Sequence, residues 1–438
     1  METTTLLIVT AVIFLWGVLS ARLERADLTA PIVFVAVGAL LSESGLIHAD
    51  AAPEAFRPLV EITLVWVLFS DAARVRVPDL QPDAGIYVRL LALGLPLTVL
   101  GGWGLAAWLF AGLGGWLALL VAAALAPTDA ALGIPVVTNP MVPSRIRRLI
   151  TVESGLNDGI ATPVVLLALA GAASTEGLAH APAPAEALLE LAIGAGVGIA
   201  VGLGGGGLTR WARRRGWVAQ DFVGIAVLAL ALAAYVAALA VHGNGFVAAF
   251  CGGLAFGAAA GRSGPAELVF TEQVSGLVSL LVWLAFGAIT APILIDRANA
   301  ATLFYAVLSL TVVRMVPVAL SLLGAGLDRG TVVFVGWFGP RGLASLLFAL
   351  LTLEDLGSAA NQAVAVIGAT VFLSVLAHGI SAMPLAHRYG QAAAARGPQP
   401  GEPLADLPVR ALPGPRAVKL RAAGERAGGD GSERPNER

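Results

Sequence analysis

Cys251 is the one cysteine in 438 residues, so no disulfide can form within the chain and no cysteine-based metal site can be assembled. As small apolar filler in a Gly/Ala-rich stretch it fits the usual behaviour of an unpaired thiol. Charge is scarce as well: 13% of the residues are Asp, Glu, Lys or Arg, against 57% hydrophobic, and the mean hydropathy is +0.83. Soluble domains carry about 25% charged residues, so this composition excludes a water-soluble fold and specifies a membrane protein. HExxH, GxSxG and Walker phosphate loops are absent, which argues against a membrane enzyme. No basic soluble domain is present, which removes nucleic acid as a partner. The first apolar run, 4–20, has no basic flank before it and no small-residue cleavage site after it, but meets Arg22, Glu24 and Arg25. It reads as a first span rather than a secretory signal.

A span needs about 20 mostly apolar residues. Thirteen segments qualify: 4–21, 28–47, 57–73, 85–110, 114–137, 149–173, 185–208, 221–241, 244–260, 267–294, 300–324, 331–352 and 361–386. The divisions at 111–113 and at His242 to Asn244 rest on the least sequence. Arginine placement tests the count, because a missed or invented span would scramble its alternation. One set of alternate loops carries Arg22, Arg25, Arg74, Arg76, Arg145, Arg147, Arg148, Arg210, Arg213, Arg214, Arg215, Arg262 and Arg329; the other carries only Arg57 and Arg297. The positive-inside rule then puts the N-terminus outside and the C-terminal tail in the cytoplasm of a multi-pass protein, expected in the plasma (inner) membrane. The chain divides into a transmembrane unit, 1–388, and a tail, 389–438, rich in Pro, Gly, Ala and Arg and expected to be unstructured.

Three polar segments interrupt the apolar spans: APTDAALG at 126–133, ESGLNDG at 153–159 and GPRG at 339–342. At a rise of 1.5 Å per residue, Asp158, Thr128 and Asp129 lie about 13 Å and Arg341 about 15 Å from the cytoplasmic edge. All of them are at mid-membrane, where charge is costly and marks transport pathways. Pro127 removes a backbone donor from the fifth span, and Gly339, Pro340 and Gly342 weaken the twelfth at a corresponding depth. These spans are fifth in 1–6 and fifth in 8–13 and cross in opposite senses, as two inverted six-helix repeats around the seventh span require.

In the sixth span Ser154 and Asp158 are four apart and share a face, with Glu153 and Asn157 on a neighbouring one. An ionised Asp158, the Ser154 hydroxyl and the hydroxyl or carbonyls at Thr128 offer oxygen ligands to a small cation, and the same carboxylate can take a proton instead. Two carboxylates ionised together in low dielectric repel, so Glu153 needs a cation. Arg341 can serve it, or can pair with Asp158.

The APTD break, ESGLNDG, the late GPRG and the pair His378–Gly379 in the last span resemble the bacterial NhaP and eukaryotic NHE type of sodium/proton antiporters, in the monovalent cation:proton antiporter superfamily, over about residues 4–386. The resemblance implies an all-α fold of 13 helices in two inverted repeats with two broken helices. A core bundle, about 85–173 and 300–386, would move against dimerisation helices, with a cytoplasmic funnel leading to the site. It implies a homodimer exchanging Na⁺ or Li⁺ for H⁺ with no cofactor beside the transported ions; K⁺/H⁺ exchange is the alternative, since nothing in the motif fixes ion radius, and a cation channel is a more distant one, since the charges cluster at one depth. By residue, it makes Asp158 the ion and proton carrier beside Asn157, Thr128 and Ser154 site ligands, and Glu153 and Arg341 an ion pair, with Asp129 in the break. Asn157, where electrogenic relatives have a second Asp, implies electroneutral exchange.

Ala130 departs from the proline common in the family after the Thr–Asp pair. Asp71 stands where relatives have a funnel carboxylate, and it can equally be an interfacial carboxylate paired with Arg74. Arg314 cannot lose its charge and must find a carboxylate, for which Glu272 is the first candidate. His378 is either a packed, satisfied histidine or, with a reference pKa of about 6.5, a pH-sensing group. The glycines at 202 and 204–207 fit close helix packing.

Overall fold

The computed structural model describes residues 3–24, 28–46, 57–75, 81–129, 132–175, 177, 184–261 and 264–396. Ala130 and the tail beyond residue 396 lie outside them. Every regular element among the described residues is helical, with no strand, and the helices fall into thirteen crossings that match the expected spans. The first three are α1 (Thr3–Glu24), α2 (Ala30–Glu43) and α3 (Arg57–Arg74). In the fourth, α4 (Ala84–Arg89) passes through a widened turn, Leu90–Gly94, into α5 (Leu95–Leu109), because Pro96 has no N–H to continue the ladder. The fifth is broken into α6 (Gly114–Leu125) and α7 (Ile134–Val137). Then come α8 (Ser144–Thr175), α9 (Pro184–Arg214), α10 (Gln220–Ala240), α11 (Gly245–Ala260) and α12 (Gly264–Arg297). The eleventh bends at Thr311 between α13 (Ala300–Leu310) and α14 (Val312–Ser321), ahead of Pro317. The twelfth is broken into α15 (Arg329–Trp337) and α16 (Leu343–Leu356), and α17 (Asn361–Arg396) is the last.

Both weak divisions hold. Gly114 takes a left-handed φ of 75° at one of them and His242, at 55°, at the other, where Asn244 caps α11 by accepting from the amides of Phe246 and Val247. Three boundaries move by five residues or more, α9 running on to Arg214 rather than ending at 208. α8 begins at Ser144 rather than 149, its first turns carrying Arg145, Arg147 and Arg148, and that places Asp158 fifteenth of 32 residues, at the helix's centre. α17 runs on to Arg396, so the tail does not start at 389. Tyr389 is buried, stacks on Phe334 at 4.0 Å and shares a 2.8 Å hydrogen bond with Thr331. An isolated aromatic anchor in an Ala-rich stretch leaves no apolar period in the sequence.

Packing groups the helices into two sets that touch along a seam. α2 and α3 lie on α12, and α3, α9 and α10 lie on α11; α6 packs on α5 and α8, and α13, α16, α6 and α17 pack together, while α3 touches α8 and α16, α12 touches α16 and α17, and α9 touches α8. The α9–α11 contact is the tightest. A Cβ at Gly194, Gly198 or Gly202 would collide with the backbone of Asn244, Ala248 or Gly252 respectively, so the helices run parallel, in register every four residues, at a separation only glycine permits. Gly204 and Gly207 face open space instead. Gly198→Leu is therefore expected to destabilise the purified protein by at least about 1–3 kcal/mol, lowering its unfolding temperature in detergent, whereas Gly196→Leu, a position with nothing within 4 Å, leaves it unchanged.

Candidate ion-binding site

The two breaks cross at the centre and exchange caps. A helix that stops inside a bilayer leaves unpaired amides at one end and unpaired carbonyls at the other, with the macrodipole concentrated there. Asp129, beyond the end of α6, accepts from the amide of Leu343 at 3.0 Å, the first residue of α16. In return Arg341, just before α16, donates through one Nη to the carbonyls of Ala126 and Pro127 at 2.7 and 3.0 Å, the end of α6. The Asp129 amide donates to the carbonyl of Pro340 at 2.7 Å. Gly342 is required here, since a Cβ on it would overlap the Asp129 carboxylate. Acid meets the positive helix end and base the negative one.

Glu153 and Arg341 are thus not the expected ion pair. Glu153 is bound by Arg314, Oε1 to Nη2 at 2.6 Å, both about 2–4% exposed. The bend at Thr311 puts Arg314 in the first turns of α14, and Gly339 leaves room for it, a Cβ there falling 2.5 Å from Arg314 Nε and 3.0 Å from Thr128 Cγ2. Glu272 is not Arg314's partner either; it pairs with Arg74. Depth was the available signal: Arg314 is central in 300–324, whereas Glu272 is five residues into 267–294, about 8 Å from the edge.

The remaining expected residues converge. Thr128 and Ser154 share a 3.0 Å hydrogen bond between their hydroxyls, and Asn157 Nδ2 donates to Thr128 Oγ1 at 2.8 Å. Asn157 Oδ1 is buried with no hydrogen-bond partner among the described residues. Asp158 is 6% exposed, and among the described residues no donor or guanidinium reaches its carboxylate; its backbone carbonyl accepts from Thr162 Oγ1 at 2.7 Å. Pro163, with no N–H, leaves the Gly159 carbonyl without its helical donor. Asp71 and Asp129 are the carboxylates that act on Asp158 through space. Asp71 has its side chain 31% exposed and 4.0 Å from Arg74, and its carbonyl closes on Gly155, where a Cβ would come within 3.3 Å.

His378 bridges the lips of the second break. Its Nε2 is 2.9 Å from the Trp337 carbonyl and its Nδ1 3.2 Å from Ser374 Oγ, which accepts from the Arg341 amide at 2.7 Å. Nδ1 also lies 2.9 Å from the Ser374 carbonyl, so each ring nitrogen faces a backbone carbonyl, and the Trp337 ring stacks on the imidazole at 5.1 Å. The ring is buried and held from both sides of the break.

Three carboxylates, Glu153, Asp129 and Asp158, face two guanidinium groups, Arg314 and Arg341, so the centre holds one net negative charge when all are ionised. Oxygen ligands plus one uncompensated charge suit a monovalent cation or a proton. Arg314→Met should destabilise the protein by about 3–5 kcal/mol by orphaning a buried charge, and Glu153→Gln in that background should recover most of it; strictly additive losses in a thermal-unfolding double-mutant cycle would contradict the pairing.

Similarity to known proteins agrees with this architecture. Among solved structures, the sodium proton antiporter MjNhaP1 from Methanocaldococcus jannaschii at pH 8 superposes with a TM-score of 0.71 at 20% identity, over 88% of this chain and 99% of that one. An electron-microscopy structure of the same antiporter gives 0.69 at 18%, over 91% and 100%. At such identities the likeness is one of fold. Residues 8–388 match the family described as sodium/hydrogen exchanger, transmembrane, and the chain belongs to that family.

Proposed function

We propose that this protein is a secondary active transporter that exchanges a monovalent cation, Na⁺ or Li⁺, for H⁺ by alternating access, with Asp158 binding the two in turn. The observation that carries the reading is the state of Asp158: at the centre of α8, buried, and with no side-chain partner for its carboxylate among the described residues, while the neighbouring carboxylates Glu153 and Asp129 are both engaged. A buried carboxylate left uncompensated is costly. A cation held by Asp158, Ser154 and Thr128 relieves that cost, and so does a proton.

The charge count sets the coupling. One cation or one proton brings the centre to neutrality, and a neutral site crosses the low-dielectric interior cheaply. An empty, ionised site does not. Each crossing therefore carries one ligand or the other, the exchange is one for one, and no net charge moves. Asn157, which supplies an amide where a second carboxylate would add another charge, favours the same stoichiometry. The oxygen donor set is equally compatible with K⁺/H⁺ exchange. A channel is disfavoured, because the charges gather at one depth and do not line a continuous path.

In this mechanism the core, about 85–173 and 300–386, carries the site against the remaining helices, and the contrast between the glycine-locked α9–α11 pairing and the cap-exchanging breaks supports that division. Arginine bias supports an outer N-terminus, a cytoplasmic mouth at Asp71, and residence in the plasma membrane. A homodimer embedded in lipid is the assembly proposed.

In proteoliposomes, collapse of a pH gradient by added Na⁺, Li⁺ or K⁺ should be abolished by Asp158→Asn and insensitive to a clamped membrane potential in the wild type. Its rate should be bell-shaped in pH, since protons displace the cation at low pH and become scarce at high pH. Full activity in the variant, or a monotonic profile, would overturn the proposal.

A further inference from the structure

The mouth of the site holds a guanidinium where a cation must pass. Asp71 and Arg74 lie one turn apart at the end of α3, and Asp71 abuts Gly155, three residues before Asp158 on α8. Arg74 Nη1 is 4.0 Å from Asp71 Oδ1. Left to itself, Arg74 would close on that carboxylate, and the mouth would offer an approaching cation a neutral pair with its positive member exposed. It is not left to itself. Glu272, reaching across from α12, binds Nη2 of Arg74 directly, and the two side chains are 20% and 29% exposed.

The geometry points to Glu272 as an electrostatic positioning residue for cation entry: its carboxylate, held against Arg74, offsets the positive charge of that guanidinium at the mouth and so raises the local cation concentration in front of Asp158. The inference rests on the antiport reading and extends it to a residue of α12 that does not touch the site. Charges on the wall of a narrow mouth act on arrival and occupancy rather than on the crossing step. At this exposure their reach is limited by salt, with a screening length of about 10 Å at 0.1 M.

Neutral substitutions make a charge series that separates this role from a mere tether between α3 and α12. Relative to the wild type, the mouth loses one negative charge in Glu272→Gln, loses one positive charge in Arg74→Gln, and is unchanged in net charge in the double variant, although the ion pair is gone. In proteoliposomes at constant low ionic strength, balanced with choline chloride, the KM for Na⁺ should rise about 3- to 10-fold in Glu272→Gln with kcat little changed. It should fall in Arg74→Gln and return close to the wild-type value in the double variant. Raising the choline chloride concentration should compress all four KM values together. Shifts of KM in the same direction in both single variants and the double, or a Glu272→Gln shift that persists at high salt, would overturn the inference in favour of a tether. A wild type without cation-coupled exchange would instead remove the antiport reading, and this inference with it.

Discussion

A charge in the middle of a bilayer must be paired, spent on capping a helix end, or neutralised by a cargo, and the centre of this protein depends on that constraint. Glu153 and Arg314 take the first course. Asp129 and Arg341 take the second, each stabilising the half-helix that begins or ends in the other repeat. Asp158 is left for the third. The broken helices are tolerable in lipid only because their open ends are satisfied by protein, and here the satisfying groups are charged, so backbone support and site electrostatics are the same set of contacts.

That economy ties the site to the fold. Thr128 reaches Ser154 and Asn157 because Pro127 ends α6 beside α8, and the break stays in place because Arg341 holds its last carbonyls. Arg341 is oriented in turn from α17, through Ser374 and His378, which grip both sides of the second break. Around this crossing the helices pack on glycine: Gly339 admits Arg314, Gly342 admits Asp129 and Gly155 admits α3. Each substitutes backbone proximity for a side chain where polar groups have to meet. The proposed exchange then needs only one further element, a net charge of minus one that a single monovalent ligand can cancel.

The spans, the two breaks and the cluster of Thr128, Ser154, Asn157 and Asp158 were legible in the sequence because hydropathy, arginine alternation and proline placement are local signals. Pairing was not. Glu153 was given Arg341 because a second buried carboxylate needs a cation and because the family resemblance implied the pair, whereas three-dimensional proximity assigns it to Arg314, whose position depends on the bend before Pro317. The capping exchange between Asp129 and Arg341 joins residues more than 200 apart, and no periodicity records it. The extension of α17 to Arg396 was missed because Tyr389 alone anchors it. Glu272 was legible as a membrane-edge carboxylate but not as the partner of Arg74.

The central claim is that one carboxylate serves two competing ligands. Proton release on cation binding tests it most directly: purified protein in weakly buffered detergent solution is titrated with Na⁺ or Li⁺ across a range of pH, and bound cation and released protons are counted together. The account predicts that release approaches one proton per cation where Asp158 is protonated, declines to zero at high pH, and is absent in Asp158→Asn. Cation binding without proton release at every pH, or release that survives in the variant, would place the two ligands on separate sites and contradict it.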